Sequence, residues 1–460
     1  MKKIRFFLAL WAAKLSIIAL KITRHNGTNF PGIVALKICP DFLWQVKKPA
    51  RVIGITGTNG KTTVCNLAID MFKADGIAVL NNSLGSNIHT GLATSFVLGT
   101  GIFGGLKYDT AVLEMDERSA PLTFPAIKPD WLLINNLTRD SIMRNGHPEY
   151  IARILTEEMP SATKLLLNGD DLIASSIAPD NERKYFGIKS LDTDVTDCIN
   201  LVNDLRICPR CSSLLKYTQR RYHHIGKAYC PTCGFKSPQC DYEGQNADLE
   251  QMTIEIAERD GSVFCYRLLN DSVFNIYNVV AIVALFRELG YSRERIAELL
   301  QKIEIVKSRF DVKELGDFRI IKQMSKDRNS LGTSRAFDYV SGRPGDKELI
   351  LMMNNLSDSR HWSENVCWLY DADFEFLNRE NIKNIVVTGP RAKDYYLRLK
   401  MAGIDDSRIS FAEHELDAPG ELKLAGKTDI YILYGTDSIT LCNQVAARIE
   451  NEIRERGERA

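Results

Sequence analysis

The apolar run Val52-Ile53-Gly54-Ile55 leads straight into Gly57-Thr58-Asn59-Gly60-Lys61-Thr62-Thr63. A buried strand that delivers the chain to a glycine-bearing turn, with a helix from Thr63 to Phe72, is the geometry a nucleoside triphosphate needs. Backbone N–H groups and a helix N-terminus surround the phosphates, a lysine meets their charge, and a hydroxyl reaches Mg²⁺. The common pattern has a glycine where this chain carries Ile55; its glycines are Gly54 and Gly57. A strand-to-helix turn that binds nothing would leave Gly-Lys-Thr-Thr at the helix start unexplained.

The surrounding pattern agrees with this reading. Arg51–Thr56, Thr110–Glu114, Trp131–Asn135 and Lys164–Asn168 read as buried strands, and Glu149–Met159 as a helix. Such alternation predicts a parallel sheet with helices on its faces. Nucleotides bind such sheets at the carboxyl ends of the strands, where Lys61, Glu114, Asn136 and Asp171 fall. Helical periodicity returns at Asn275–Leu289 and Ser292–Ile303. A further α/β pattern follows Arg309, with strands at Phe318–Lys322, Glu348–Met353, Ile385–Val387 and Asp429–Tyr434 and helices at Lys393–Ala402 and Ile439–Arg454.

At 460 residues the chain is long enough for two or three domains. Its 59 Lys and Arg against 58 Asp and Glu give no global case for nucleic-acid binding. At the N-terminus, Met1-Lys2-Lys3-Ile4-Arg5 followed by Phe6 to Ala13 imitates a secretory signal. Lys14 and Lys21 break the apolar run short of the roughly 18 residues a membrane span needs. The expectation is a helix packed on the next domain, with a shallow interfacial contact as the other reading. An ATP site and mostly unpaired cysteines place the chain in the cytoplasm, peripheral at the inner membrane face if that contact holds.

Of eleven cysteines, seven are scattered singly and four form two knuckles, Cys208-Pro209-Arg210-Cys211 and Cys230-Pro231-Thr232-Cys233. Two C-x₂-C knuckles at this separation predict a closed four-thiolate Zn²⁺ site with a structural role. Cys240 is a spare thiol, and His223 and His224 are ligands only if a cysteine fails. The stretch Gln219 to His224 is basic with aromatics, which superficially suits a nucleic acid. A module of about 35 residues cannot build its own core, so a metal-held structural or docking role is preferred.

Together these motifs resemble the Mur ligases, and most closely their MurT branch, the ligase-like subunits of lipid II isoglutaminyl synthase. The resemblance rests on Thr56 to Thr63, Gly27 to Gly32, Leu113 to Glu117, Asn136 to Asp140 and Leu167 to Asp171. It continues through the four-cysteine insertion, Tyr277-Asn278, Trp368 to Glu375, Gly389 to Asp394 and Arg398 to Gly403. It implies an α/β fold: a Mur-ligase-like central P-loop ATPase domain over 49–308, with a four-cysteine zinc ribbon inserted at 201–241. A helical segment over 1–48 packs on that domain, and a Rossmann-like α/β domain covers 309–460.

The implied reaction activates a carboxylate with ATP for attack by ammonia, the substrate being the α-carboxylate of D-glutamate in the lipid II stem peptide. Gly57, Thr58, Asn59 and Gly60 would supply backbone donors, and Lys61 would hold the phosphates. Thr63 would support the loop, Thr62 and Glu114 would ligate Mg²⁺, and Asn275 or Asn278 would meet the base. No cysteine sits in a G-x-C-x-G turn, so this chain is expected to lack a glutaminase of its own, and the resemblance implies a GatD-type glutamine amidotransferase partner as the source of ammonia. An aspartate of this chain would complete the partner's Cys–His pair, with Asp371 ranked ahead of Asp358 and Asp373. The chain departs from many relatives at Lys322 to Arg328, at Asp358 to Trp368 and at Tyr434-Gly435-Thr436. Two other readings are a paralogue that amidates another carboxylate and a nucleic-acid-binding ATPase; near-zero net charge counts against the latter.

Overall fold

Strand β1 (Arg51–Thr56) pairs in parallel with both β3 (Thr110–Glu114) and β4 (Trp131–Ile134), Ile53 lying opposite Val112 on one side and Trp131 on the other. Five of its six residues are buried, which is why it reads as a continuous apolar run. The computed structural model describes residues 2–23, 27–83, 86–139, 147–303, 310–325, 329–353 and 366–459. These fall into two compact units: Met1–Thr138, Pro148–Ile199 and Asn203–Ile305 in the first, and Arg139–His147, Asn200–Val202 and Val306–Ala460 in the second.

The sheet of the first unit extends past β3 to β2 (Val79–Asn81) and past β4 to β5 (Lys164–Asn168) and β6 (Arg183–Ile188), all parallel. Beyond β6, β9 (Tyr242–Asp248) adds in parallel, and β10 (Thr253–Glu258) and β11 (Val263–Arg267) close the edge as an antiparallel meander. This meander and β6 are additions to the sequence reading. Their strands are short, half-polar and exposed on one face, so they lack the apolar runs that mark the central strands.

Helix α1 (Lys2–Ile22) buries Phe6, Ala9, Leu10 and Ala13 against the first unit, with Phe6 stacked on Phe42. Helix α2 (Lys61–Ala74) starts two residues earlier than its periodicity indicated and buries Val64, Leu67, Ala68, Met71 and Phe72. Helix α3 (Val273–Glu288) is buried without interruption from Asn275 to Phe286, and Phe286 meets Phe72 at 4.9 Å between ring centroids. A helix apolar all round belongs inside a domain, and α3 ties helix α2 to the sheet. Separate from the main sheet, β7 (Lys216–Tyr222) and β8 (Ile225–Tyr229) form the antiparallel hairpin that carries the second cysteine knuckle at its end.

The second unit has a six-stranded sheet. Its order is β12 (Phe310–Leu315), β13 (Phe318–Met324), β17 (Thr428–Tyr434), β14 (Asp346–Met352), β15 (Ile382–Thr388) and β16 (Ile409–Ala412). Every pairing is parallel except β12 with β13. Helices Ser330–Gly342 and Ala392–Met401 contribute Phe337, Val340, Tyr395 and Leu399 to one core. Helix Ile439–Arg459 contributes Cys442, Val445 and Ile449 to another. Arg398 is 2% exposed and donates to the carbonyls of Leu369 and Ala372 and to Glu375, fixing the turn that carries Asp371 and Asp373. Asp358 lies outside the described residues, as do parts of the Lys322–Arg328 and Asp358–Trp368 stretches.

Candidate functional site

The turn after β1 needs glycine at two places. Gly57 has φ 128° and Gly60 φ 83°, a region that L side chains avoid. A Cβ on Gly60 would also meet Asn135 Nδ2 at 2.4 Å and Asn278 Oδ1 at 2.9 Å. Gly60→Ala is therefore expected to weaken ATP binding about tenfold or more by calorimetry, with strain of roughly 1–2 kcal/mol lowering the melting temperature only modestly.

Lys61 opens α2, and its Nζ lies 2.9 Å from Glu117 Oε1 while also donating to the Gly57 carbonyl. Glu117 is 3% exposed, and the same oxygen accepts the Gly57 N–H at 2.8 Å and the Thr56 hydroxyl at 3.1 Å. One carboxylate thus fastens the strand end, the loop and the lysine. It is aimed by Asp116, whose Oδ1 caps the N–H groups of Arg118 and Ser119 in the turn Glu117–Ser119. Glu117 belongs to the segment that resembles the family, yet it had no assigned role. Its signal was a second glutamate three positions beyond Glu114.

The rest of the loop is gripped from β4. Asn136 accepts the Thr58 N–H with its carbonyl at 2.7 Å and the Asn59 N–H with Oδ1 at 3.0 Å, and its Nδ2 donates to the Asn59 carbonyl. Thr138 donates its N–H to Thr58 Oγ1. Asn135 donates to Asn278 Oδ1 at 3.0 Å, which brings α3 to the Gly60 turn. Asn275 is elsewhere engaged: its Nδ2 donates to the Asn270 carbonyl, and its N–H meets the capping Ser272 hydroxyl. That is the behaviour of a helix-start residue. Thr62 is exposed on the first turn of α2 and Thr63 half-buried. Glu114 ends β3 opposite Ile55, half-buried, and its Oε1 accepts from Asn87 Nδ2 at 2.9 Å. Burial first, and then the Glu114 charge, pushes the neighbouring Cys65 thiol up, which makes it an inert core residue.

None of the eleven cysteines is joined in a disulfide. The sulfurs of Cys208, Cys211, Cys230 and Cys233 lie within 4.8 Å of one another, with Cys208 to Cys233 at 3.6 Å and Cys211 to Cys230 at 3.5 Å. A tetrahedral Zn²⁺ with bonds of about 2.3 Å requires sulfurs about 3.8 Å apart, so the set fits that ion. Cys240 lies outside this cluster. It is buried beside Lys227, and desolvation pushes its thiol up to about 12.

The basic–aromatic stretch before the second knuckle is no surface for a nucleic acid. Arg220, Arg221, Tyr222, His223 and His224 are all buried, none more than 6% exposed. The hairpin tip is instead built into the end of β5. Asp170 is fully buried, with Lys227 Nζ at 2.6 Å, Arg221 Nη1 at 2.8 Å and the Tyr277 hydroxyl donating at 2.8 Å. Burial alone would push the Asp170 carboxyl up, but Lys227 and Arg221 outweigh it and hold the carboxyl below its usual range. A depressed folded value means stability present above the unfolded pKa of about 3.9 and lost as the pH falls through that range. Asp170→Ala leaves Arg221 with Asp194 and Lys227 with Glu243 as their remaining carboxylate partners, and is expected to cost about 3 kcal/mol at pH 7, with a smaller deficit in acid-melting series.

Next in sequence, Asp171 Oδ1 lies 3.2 Å from His224 Nε2 and caps the N–H groups of Ile173 and Ala174. Its Oδ2 accepts the Leu137 N–H at 2.6 Å. A continuous path therefore runs from the hairpin tip through Asp171 to Asn136-Leu137-Thr138 and on to Thr58 and Asn59.

Within the second unit, Asp371 lies 3.5 Å from Arg139 and is partly exposed. Asp373 is 1% exposed, and its carboxylate holds Asn200 Nδ2 at 2.8 Å and the Leu201 N–H at 2.6 Å. A side chain so committed is a structural anchor, which leaves Asp371 as the more accessible of the two.

Comparison with known proteins matches this architecture. Residues 55–202 fit the family described as Mur ligase middle domain, and 327–436 fit MurT ligase C-terminal. The chain is 31% identical over 422 residues to the MurT subunit of lipid II isoglutaminyl synthase of Staphylococcus aureus strain COL, covering 87% of this chain and 89% of the relative. It is 30% identical over 391 residues to the MurT subunit of Streptococcus pneumoniae, covering 84% of each. A pseudomurein peptide ligase type C from Methanothermus fervidus shares the fold, with a TM-score of 0.64 at 21% identity over 91% of this chain and 80% of that one. MurF from Acinetobacter baumannii does so with 0.61 at 14% identity over 91% and 80%. The fold is that of the Mur ligases, and the chain belongs to their MurT family.

Proposed function

We propose that this chain is the ATP-dependent subunit of an amidating ligase acting on the D-glutamate α-carboxylate of the lipid II stem peptide. The observation that carries the reading is Lys61, fixed by Glu117 in a glycine turn at the carboxyl end of β1, in a chain similar along most of its length to MurT subunits. Lys61 Nζ, the Gly60 N–H and the N–H groups of the first turn of α2 hold phosphate oxygens, with Thr63 behind them; the N–H groups of Gly57, Thr58 and Asn59, also expected as phosphate donors, instead hold the loop to Glu117 and Asn136. Thr62 and Glu114 supply oxygen ligands to Mg²⁺. Asn278, at the Gly60 turn, is better situated toward a bound nucleotide than Asn275.

ATP supplies the phosphoryl group: a carboxylate oxygen attacks the γ-phosphorus and ADP leaves. Ammonia then attacks the acyl carbon, a proton is lost, and inorganic phosphate departs to leave the amide. The cysteine quartet holds a structural Zn²⁺. Ammonia comes from a GatD-type glutaminase subunit, with Asp371 or Asp358 reaching its Cys–His pair. The work takes place on the cytoplasmic side, where ATP is found.

Hydroxylamine in place of glutamine tests the activation step, because it attacks the same acyl carbon. Formation of a hydroxamate on lipid II, with phosphate release and dependence on ATP and Mg²⁺, is expected. Phosphate release without hydroxamate would refute carboxylate activation on this substrate.

A further inference from the structure

Helix α1 has two apolar faces. One, through Phe6, Ala9, Leu10 and Ala13, is packed on the first unit. The other consists of Ile4, Leu8, Trp11, Leu15, Ile18 and Ile22, all 45–77% exposed. Their 4-3-4-3-4 spacing places five helical turns in line, a bare stripe about 27 Å long. The Trp11 indole N–H donates to the Ile102 carbonyl at 2.8 Å, which sets Ile102 and Phe103, 55% and 84% exposed, beside the middle of the stripe. Patches this continuous mark an interaction site.

Charge decides what covers it. Residues 1–40 contain seven Lys and Arg and no Asp or Glu. Lys3 and Lys21, both exposed, share one flank of the stripe, while Lys14 between them is half-buried and donates to the Val97 carbonyl at 2.9 Å. The stripe also has heptad spacing, but a second copy would set Lys14 and Lys21 at flanking positions with no acidic side chain on the partner helix to answer them. No helix among the described residues is long and apolar enough to cross a membrane. An apolar stripe flanked by exposed cations, on a segment with no acidic residue, is the pattern of a helix lying in the plane of an anionic lipid surface.

We propose that α1 seats this protein on an anionic membrane, with the Ile4–Ile22 stripe and Phe103 entering the headgroup boundary and the exposed Lys3 and Lys21 meeting lipid phosphates. The inference stands apart from the ligase reading and holds whatever carboxylate is activated. The test is co-sedimentation of the full-length protein with phosphatidylcholine vesicles, with and without phosphatidylglycerol. Pelleting is expected with phosphatidylglycerol, weakening as salt is raised. Leu8→Glu with Leu15→Glu should lower partitioning at least about tenfold, and Lys3→Gln and Lys21→Gln roughly fivefold each. The melting temperature should stay constant, since all four side chains are exposed. Ile18→Ser with Ile22→Ser serves as a second stripe variant should the first misfold. Equal pelleting of wild type and stripe variants, or no pelleting on anionic vesicles, would overturn the proposal. So would a dimer by light scattering, or a copurifying protein partner, that the stripe variants release.

Discussion

ATP turnover is expected to fall at least about 10³-fold in Lys61→Ala, with zinc content unchanged. Lys61 is the cation at the loop, held 2.9 Å from Glu117 and within reach of the Gly57 carbonyl. Its removal takes away charge that must answer the γ-phosphoryl group as it transfers. Glu117 retains the Gly57 N–H and Thr56 hydroxyl, so the loop keeps two of its fastenings. Steady-state phosphate release measures the loss, and atomic absorption measures the metal. Glu117→Gln provides the contrast. It keeps the hydrogen-bonding shape but not the charge, and its smaller loss should appear mainly in the KM for ATP. Zinc loss in Lys61→Ala would show that the substitution unfolds the chain.

The second large effect should come from the metal. The four-cysteine module contributes only a small apolar cluster around Leu172, Tyr217 and Ala228. Zinc sites of this kind contribute on the order of 10 kcal/mol to the folding of such modules. Cys230→Ser with Cys233→Ser, or chelation of the wild type, is expected to release the ion and melt the hairpin. The hairpin tip carries His224 and Arg221 into Asp171 and Asp170, and Asp171 holds Leu137 beside the loop residues Thr58 and Asn59. ATP affinity should therefore fall on the order of tenfold, although no cysteine touches the nucleotide loop; calorimetry with ATP reads it. His224→Ala should reproduce part of that loss with zinc still bound. Unchanged ATP affinity in both variants would mean that the hairpin and the loop are energetically separate.

The central strands were legible because burial on both faces leaves uninterrupted apolar runs, as in Trp131–Ile134 and Lys164–Asn168. The glycine turn after β1 was legible because its glycines and lysine are adjacent in sequence. Glu117 was less so, since a carboxylate in the polar stretch after β3 looks like surface until Lys61 is seen against it. The hairpin tip misled in the opposite sense. Arg221 and His224 look like a basic surface, yet they are buried, received by Asp170 and Asp171 some fifty positions earlier and, for Arg221, by Asp194 as well. Periodicity reports one apolar face at a time, so the packed face of α1 was anticipated and the extent of the bare stripe opposite was not.

The most direct test is mass spectrometry of lipid II after incubation with this chain, a co-expressed glutaminase partner, ATP, Mg²⁺ and glutamine. The expected product carries NH₂ in place of OH at the D-glutamate α-carboxyl, depends on ATP and is absent with Lys61→Ala. Lipid II of unchanged mass, with ATP turnover intact and glutamine hydrolysed, would contradict the account.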